Sequence, residues 1–298
     1  VKQGDDVIFS HAYGLAHRGF NIPNRLNTMF DTASITKVFT ATAILILIEK
    51  GLLHFDDKIT SIIDLKGTTI PKDVNIYNLL NHTSGIADDA DEEAGEIYSD
   101  LFIDKPNYAI RNTCDFLKQF AYKQPIFKAG TDVRYNNCAF VLLGLAIEKI
   151  SGQDYRKFVT DNIFVPSGML NTKFCAMDEV NANMAEGYVG HYSKNKDDIK
   201  WRKNIYSYPP IGSPDSGAYT TVLDLDIFIR NLKSNVVLNS EYTNMLFSPH
   251  CKFAKPFNCG EPSVNATLRK GYAFEFVEIN GNVFCMRKEG LNDGVGAM

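Results

Sequence analysis

Ser34 stands three residues before Lys37, within Asp31-Thr32-Ala33-Ser34-Ile35-Thr36-Lys37 and just ahead of the longest apolar run of the chain, Val38 to Ile48. Residues at i and i+3 share a helix face. The spacing therefore predicts a helix with Ser34 in its first turn, the Lys37 amine beside the serine hydroxyl, and Gly51 as terminator. An amine so placed accepts or relays the proton of an attacking serine if burial lowers its pKa, and favours the alkoxide if it stays charged. The helix N-terminus adds partial positive charge at the same point. This is the equipment of a serine acyl-transfer site that uses no histidine. The bland reading is a helix-capping serine followed by a surface lysine. The same spacing recurs at Ser193-Lys194-Asn195-Lys196, in a polar stretch with no helix to orient it.

Two further groups carry chemistry. Tyr135-Asn136-Asn137 follows the turn Lys128-Ala129-Gly130-Thr131 and precedes a helical pattern from Cys138 to Ile150. A tyrosine in such a loop can aim its phenol into a cleft, and an asparagine at the cap can offer its amide to a ligand; a capping Asn beside a packed Tyr is the plainer account. Lys288-Glu289-Gly290 follows a strand pattern, Val283 to Arg287, where a lysine places a cation at a cleft edge and glycine permits close approach to backbone. Lys128-Ala129-Gly130 reads instead as a turn, and Tyr242-Thr243-Asn244 lies in an amphipathic helix where the tyrosine packs. The sequence holds no His-Glu-x-x-His, no Cys/His cluster and no Gly-x-Ser-x-Gly, so no metal or other cofactor is expected and a Ser-His-Asp hydrolase is disfavoured. His82 beside Ser84 reads as part of a loop after a helix.

The elements that must position these residues are a β-rich start, a helical middle and a β-rich end. Lys2 to Asp6 reads as a hairpin turn, followed by strands Val7 to Phe9 and Ala12 to Ala16; Val1 would be the remnant of a preceding strand. Helical spacing marks Asn75 to Leu80, Asn107 to Tyr122, Ala139 to Ile150 and Val222 to Leu232. Asp88 to Asp100 holds seven carboxylates in thirteen residues and reads as a solvated loop, with a gate over a site as the sharper alternative. Ser193 to Lys203 reads as a polar loop. Strands Tyr272 to Ile279 and Val283 to Arg287 flank Asn280-Gly281-Asn282, a hairpin signal. The pattern predicts an α/β (α+β) fold: an antiparallel sheet part, residues 1–30 and 187–298, and a mostly helical part, residues 31–186, forming one catalytic unit over 1–298 with its site between them.

With 298 residues, 45% of them hydrophobic, and a net charge of -4, the chain has a globular composition and no electrostatic footprint for nucleic acid. Val38 to Ile48 is too short to span a membrane. Six cysteines without a Cys-x-x-Cys do not suggest a disulfide scaffold, although Cys251 and Cys259 would close a short loop.

In this order, and together with Leu80 to Ile86, Lys128 to Gly144 and Ser216 to Thr221, the three groups resemble the signature of the serine β-lactamase and penicillin-binding-protein superfamily. The class C branch, with its D-alanyl-D-alanine carboxypeptidase, D-aminopeptidase and esterase relatives, is most similar. The resemblance implies a β-lactamase/transpeptidase-like fold and an acyl-enzyme hydrolase acting on an amide, lactam or ester carbonyl, with small-molecule or peptide substrates. It implies Ser34 as nucleophile, Lys37, Tyr135 and Lys288 as its catalytic partners, Asn137, Glu289 and Gly290 in substrate binding, and the N–H of Ser34 and Leu291 as oxyanion hole. A periplasmic, secreted or cell-surface location would accompany it. The resemblance implies further strands and a closing helix after the third group, and against that expectation the abrupt run Gly294-Val295-Gly296-Ala297-Met298 reads as truncated terminal strands. Glu289 stands where Thr or Ser is usual and would repel a substrate carboxylate. A catalytically silent module that binds cell-wall peptides is the alternative.

Overall fold

The computed structural model describes residues 1–192, 199–258, 260 and 265–298. The organising element is helix α1, Thr36–Glu49, in which every residue from Thr36 to Ile48 is buried. It is apolar on all sides, so neighbours must surround it. Helix α2, Cys138–Ser151, packs along it, and helix α3, Val222–Lys233, covers another side with Phe228 and Leu232. Phe39 meets Phe164 and Phe228 edge-on at 4.9 and 5.0 Å. Gly51 and Gly152 follow α1 and α2 in left-handed conformation (φ 68° and 69°), as helix terminators do.

Among the described residues the largest sheet is an antiparallel meander of Ala254–Pro256, Ala266–Lys270, Glu275–Ile279 and Asn282–Arg287. Its last hairpin turns through Asn280 and Gly281, both at positive φ as the predicted turn demands. A smaller sheet places Ala218–Thr220 between Phe30–Asp31 and Lys173–Phe174. That central strand joins segments far apart in sequence beneath the site. The main core runs from the helices into the sheet through Tyr272, Phe274 and Phe276, and a small second cluster gathers Met29, Cys175 and Tyr219.

Several expectations are corrected. Ser34 lies outside α1, in a 3-10 turn Ala33–Ile35 that runs into it, because left-handed Ala33 (φ 43°) interrupts a regular start. The segment 107–122 is not one helix but two 3-10 turns and the short helix Leu117–Phe120. Ile199–Lys203 is a strand paired with Tyr188–Tyr192 rather than loop. The second Ser-x-x-Lys, Ser193 to Lys196, and one partner of the Cys251 to Cys259 pairing lie outside the described residues. No described helix is long and apolar enough to cross a membrane.

Candidate active site

Ser34 is presented by a turn clamped from two sides. Thr32 donates through both N–H and Oγ1 to the Ala218 carbonyl, at 3.0 and 2.7 Å, and the Ala218 N–H donates to Thr36 Oγ1 at 3.0 Å. The half-exposed Ser34 hydroxyl then faces two groups. Lys37 Nζ donates to Ser34 Oγ at 3.0 Å and the Tyr135 phenol donates to it at 2.7 Å. The i, i+3 pairing holds despite the 3-10 start, since that tighter turn also brings i and i+3 into line.

Lys37 is completely buried and fixed by two more acceptors, Asn137 Oδ1 at 2.7 Å and the Asp215 carbonyl at 2.8 Å. Asn137 therefore spends its amide oxygen on Lys37, and it does not cap α2 with its side chain. That cap comes from Asn136, whose Oδ1 accepts the Ala139 N–H at 2.6 Å, and from Asp88, which accepts the N–H of Asn137 and Cys138 at 2.9 to 3.0 Å.

The facing wall begins where strand Asn282–Arg287 ends. Lys288 is buried, and its Nζ lies 5.0 Å from the Tyr135 ring centre, as does Lys37 Nζ. Ser34, Lys37, Tyr135 and Lys288 thus converge. Glu289 turns to Arg287 at 2.8 Å, which offsets the carboxylate charge. Gly290 is needed for close approach, but to the protein's own backbone rather than to a ligand: a Cβ there would sit 2.0 Å from the Thr32 carbonyl oxygen and 3.0 Å from the Ser34 nitrogen. Leu291 follows in strand Gly290–Asn292, its side chain exposed beside this turn.

Proton affinities within the cluster are shifted in different directions. Burial pulls the Lys37 ammonium down, but the Tyr135 oxygen, Asp215 and Asp88 outweigh it and the net shift is upward. Tyr135 is partly exposed on its cleft side, yet burial still pushes its phenol above the ordinary value against the pull of Lys37. Cations that lower a phenol toward phenolate do not prevail here over desolvation. Burial, then Lys37 and Lys270, drive Lys288 well below an ordinary lysine.

A model of the family described as Beta-lactamase matches residues 1–261. The chain belongs to that family. It is 31% identical over 193 residues to Penicillin-binding protein 4* of Bacillus subtilis, covering 65% of this chain and 40% of that protein. It is 30% identical over 279 residues to Beta-lactamase-like protein 4 of Dictyostelium discoideum, covering 82% of this chain and 45% of that protein. The chain thus spans less than half the length of these relatives. The crystal structure of a penicillin-binding protein from Bacillus halodurans superposes with a TM-score of 0.88 at 35% identity, covering 99% of this chain and 84% of that one. The fold is the β-lactamase/transpeptidase fold, with helices and antiparallel sheets as expected from the sequence.

Within this family site, several residues beyond the three motifs line the cluster. His82, at φ 61°, lies with its ring 4.8 Å from the Tyr135 ring at a tilt of 30° and accepts the Asn136 N–H on Nδ1 at 3.2 Å; burial, then Lys270, Lys288 and Lys37, disfavour its charged form. Lys270 Nζ lies 5.2 Å from the same ring and pairs with Glu275. The acidic segment is not simply solvated. Asp88 and Asp89 are buried, Asp91 pairs with Arg134 at 2.6 Å, and Glu93 accepts the Tyr135 N–H at 3.1 Å while pairing with Lys255 at 2.8 Å. Asp88, Asp89 and Cys138 are close enough together to hold a cation. The N–H groups of Asn137, Cys138 and Ala90 already engage the two carboxylates, which explains the cluster without one.

Proposed function

We propose that the protein is a serine hydrolase that works through an acyl-enzyme on Ser34 and attacks an amide, lactam or ester carbonyl. One observation carries this reading: a single oxygen, Ser34 Oγ, lies 3.0 Å from the Lys37 ammonium and 2.7 Å from the Tyr135 phenol. A hydroxyl flanked in this way has a cation to stabilise its alkoxide and an adjacent oxygen to exchange its proton with.

The shift directions suggest the resting state: Lys37 charged, Tyr135 a phenol, and Lys288 displaced toward the neutral amine. As Ser34 Oγ bonds to the carbonyl carbon, its proton passes to the Tyr135 oxygen while the phenol proton is relayed to the Lys288 amine, which lies 5.0 Å from the ring centre and must be reached through a bridging water or a small approach of the lysine. The carbonyl π pair becomes an oxyanion received by the N–H groups of Ser34 and Leu291. One such donor is worth about 3 to 4 kcal/mol in the transition state. Collapse re-forms the carbonyl and breaks the bond to the leaving group, which takes a proton from Tyr135 as Lys288 returns one to the phenol. Water then attacks the ester, its proton follows the same path, and Ser34 recovers its own as the acid departs. Asn137 keeps its NH₂ for the substrate, since its oxygen is held by Lys37. Small-molecule or peptide substrates with a carbonyl at a half-exposed cleft suit this arrangement.

The test is covalent labelling with a fluorescent penicillin and with a fluorophosphonate, read by intact mass. Wild type should take one adduct and Ser34→Ala none; undiminished labelling of Ser34→Ala rejects Ser34 as nucleophile. A wild-type protein that takes neither probe, and hydrolyses neither nitrocefin nor p-nitrophenyl acetate, would be a binding module instead.

A further inference from the structure

The turn that presents Ser34 holds a conformation that alanine disfavours. Ala33, wholly buried, sits at φ 43°, where a Cβ is crowded and glycine is the ordinary occupant. Its N–H donates to Asp31 Oδ1 at 2.7 Å, two residues back at the end of strand Phe30–Asp31. The peptide on the far side of Ala33 carries the Ser34 N–H, and the Thr32 carbonyl on the near side abuts Gly290.

Asp31 is an unusual choice for so simple a contact. Its other oxygen, Oδ2, is buried without a hydrogen-bond partner. The titratable groups facing it are Tyr208, Tyr219 from strand Ala218–Thr220, and Cys175 just after strand Lys173–Phe174, around a cavity of about 10 Å³. None of these is a cation; the Tyr208 phenol is close enough to favour the ionised carboxylate, yet Oδ2 accepts no hydrogen bond. A buried carboxylate without a counter-charge is unfavourable. Burial accordingly pushes Asp31 up to about 6, against the pull of the Ala33 N–H and Tyr208. An uncharged acceptor would satisfy the Ala33 N–H more cheaply if folding were all that mattered.

We propose that Asp31 is a positioning residue for the Ser34 reaction: its carboxylate latches the Ala33 N–H and so fixes the left-handed turn that aims the Ser34 hydroxyl and N–H into the cleft. The proposal rests on Ser34 being the nucleophile. A charge-assisted hydrogen bond holds the turn more tightly than a neutral one, so the latch is strongest when Asp31 is ionised. The native state binds this proton more tightly than the unfolded chain does, so ionised Asp31 detracts from stability as pH rises from the ordinary carboxylate value through about 6. Activity and stability therefore move in opposite directions at this residue.

The experiment measures the rate of Ser34 labelling by a fluorophosphonate, and the melting temperature, from about pH 5 to pH 8 in wild type, Asp31→Asn, Asp31→Leu and each variant combined with Ala33→Gly. Wild-type labelling should fall as pH drops through about 6. Asp31→Asn, which keeps an acceptor, should lose that step, melt higher than wild type at pH 7.5, and label on the order of tenfold more slowly. Asp31→Leu should label on the order of a hundredfold more slowly, as expected when an oxyanion donor is misaimed. Ala33→Gly should restore part of the rate in both, because glycine holds positive φ without the latch. Asp31→Asn labelling at the wild-type rate with the same pH step overturns the proposal. So does a lack of recovery with Ala33→Gly in both backgrounds. Wild type that forms no adduct at Ser34 overturns the nucleophile assignment and the latch with it.

Discussion

The floor and the wall of the cleft each bury a lysine against the same tyrosine ring, and the two lysines are shifted in opposite directions. On the floor, Lys37 donates to Ser34 Oγ, Asn137 Oδ1 and the Asp215 carbonyl, and its ammonium is held above the ordinary value. On the wall, Lys288 forms no ion pair among the described residues, has two other lysines for neighbours, and is driven well below that value. Burial is common to both, so partners decide the direction of the shift. One tyrosine is thereby placed between two lysines whose proton affinities are shifted in opposite directions, the asymmetry the proposed proton relay uses.

The largest way to break this contrast is on the floor. Lys37→Ala removes the donor from three acceptors at once, two of them buried, and leaves Ser34 without its cation. Acylation should slow by on the order of a hundredfold or more, and stability should fall by about 1 to 3 kcal/mol for the buried acceptors left unpaired. Stopped-flow acylation and thermal melting check both, and near-normal rates would remove Lys37 from the reaction. Lys37→Arg should not rescue, because a planar fork cannot reproduce three convergent single contacts.

The wall gives a smaller effect with a distinct pH signature. If Lys288 receives a proton as an amine, wild-type acylation should climb as pH rises through its depressed pKa, well below where an ordinary lysine titrates. Lys288→Met should flatten that limb and slow acylation by on the order of tenfold at its plateau. Stability carries the same signature. Between the depressed value and the ordinary one the unfolded chain holds a proton that the native state lacks, so wild type gains stability with rising pH and Lys288→Met loses that slope. A pH profile unchanged by Lys288→Met would end the two-lysine account.

Legibility in the sequence followed the range of the interaction. Ser34 with Lys37, and the helix behind them, could be read because an i, i+3 pair and an apolar run are local. Tyr135 and Lys288 were found by motif, but their charge states were not, since desolvation depends on what folds over them. Asp88 gave no signal apart from its place in an acidic run, and its capping of α2 exists only once residues 88 and 137 meet. Lys270 lies in an ordinary strand end, and only the hairpin partner Glu275 and the approach of Tyr135 single it out. The strained Ala33 was invisible for a different reason: alanine before a helix predicts helix, whereas its positive φ accompanies contacts with Asp31 and, through the neighbouring Thr32 carbonyl, Gly290, which only the folded chain brings together.

The mildest sharpening of the contrast concerns Glu289, the one motif residue whose charge opposes the wall. Repulsion of a substrate carboxylate is what the sequence suggests, yet Arg287 lies 2.8 Å from Glu289 and also reaches Glu275 at 3.4 Å. The repulsion is therefore largely offset within the protein. Glu289→Thr would release that arginine and make the wall more positive, raising turnover of an anionic β-lactam relative to a neutral ester. Because Glu289 and Arg287 are both partly exposed, the gain should be worth less than about 1 kcal/mol, a fewfold change in the ratio. It should shrink as salt is raised, which screens exposed charge far more than the buried lysines. A ratio that does not move at low salt would show that Glu289 does not set the preference between anionic and neutral substrates.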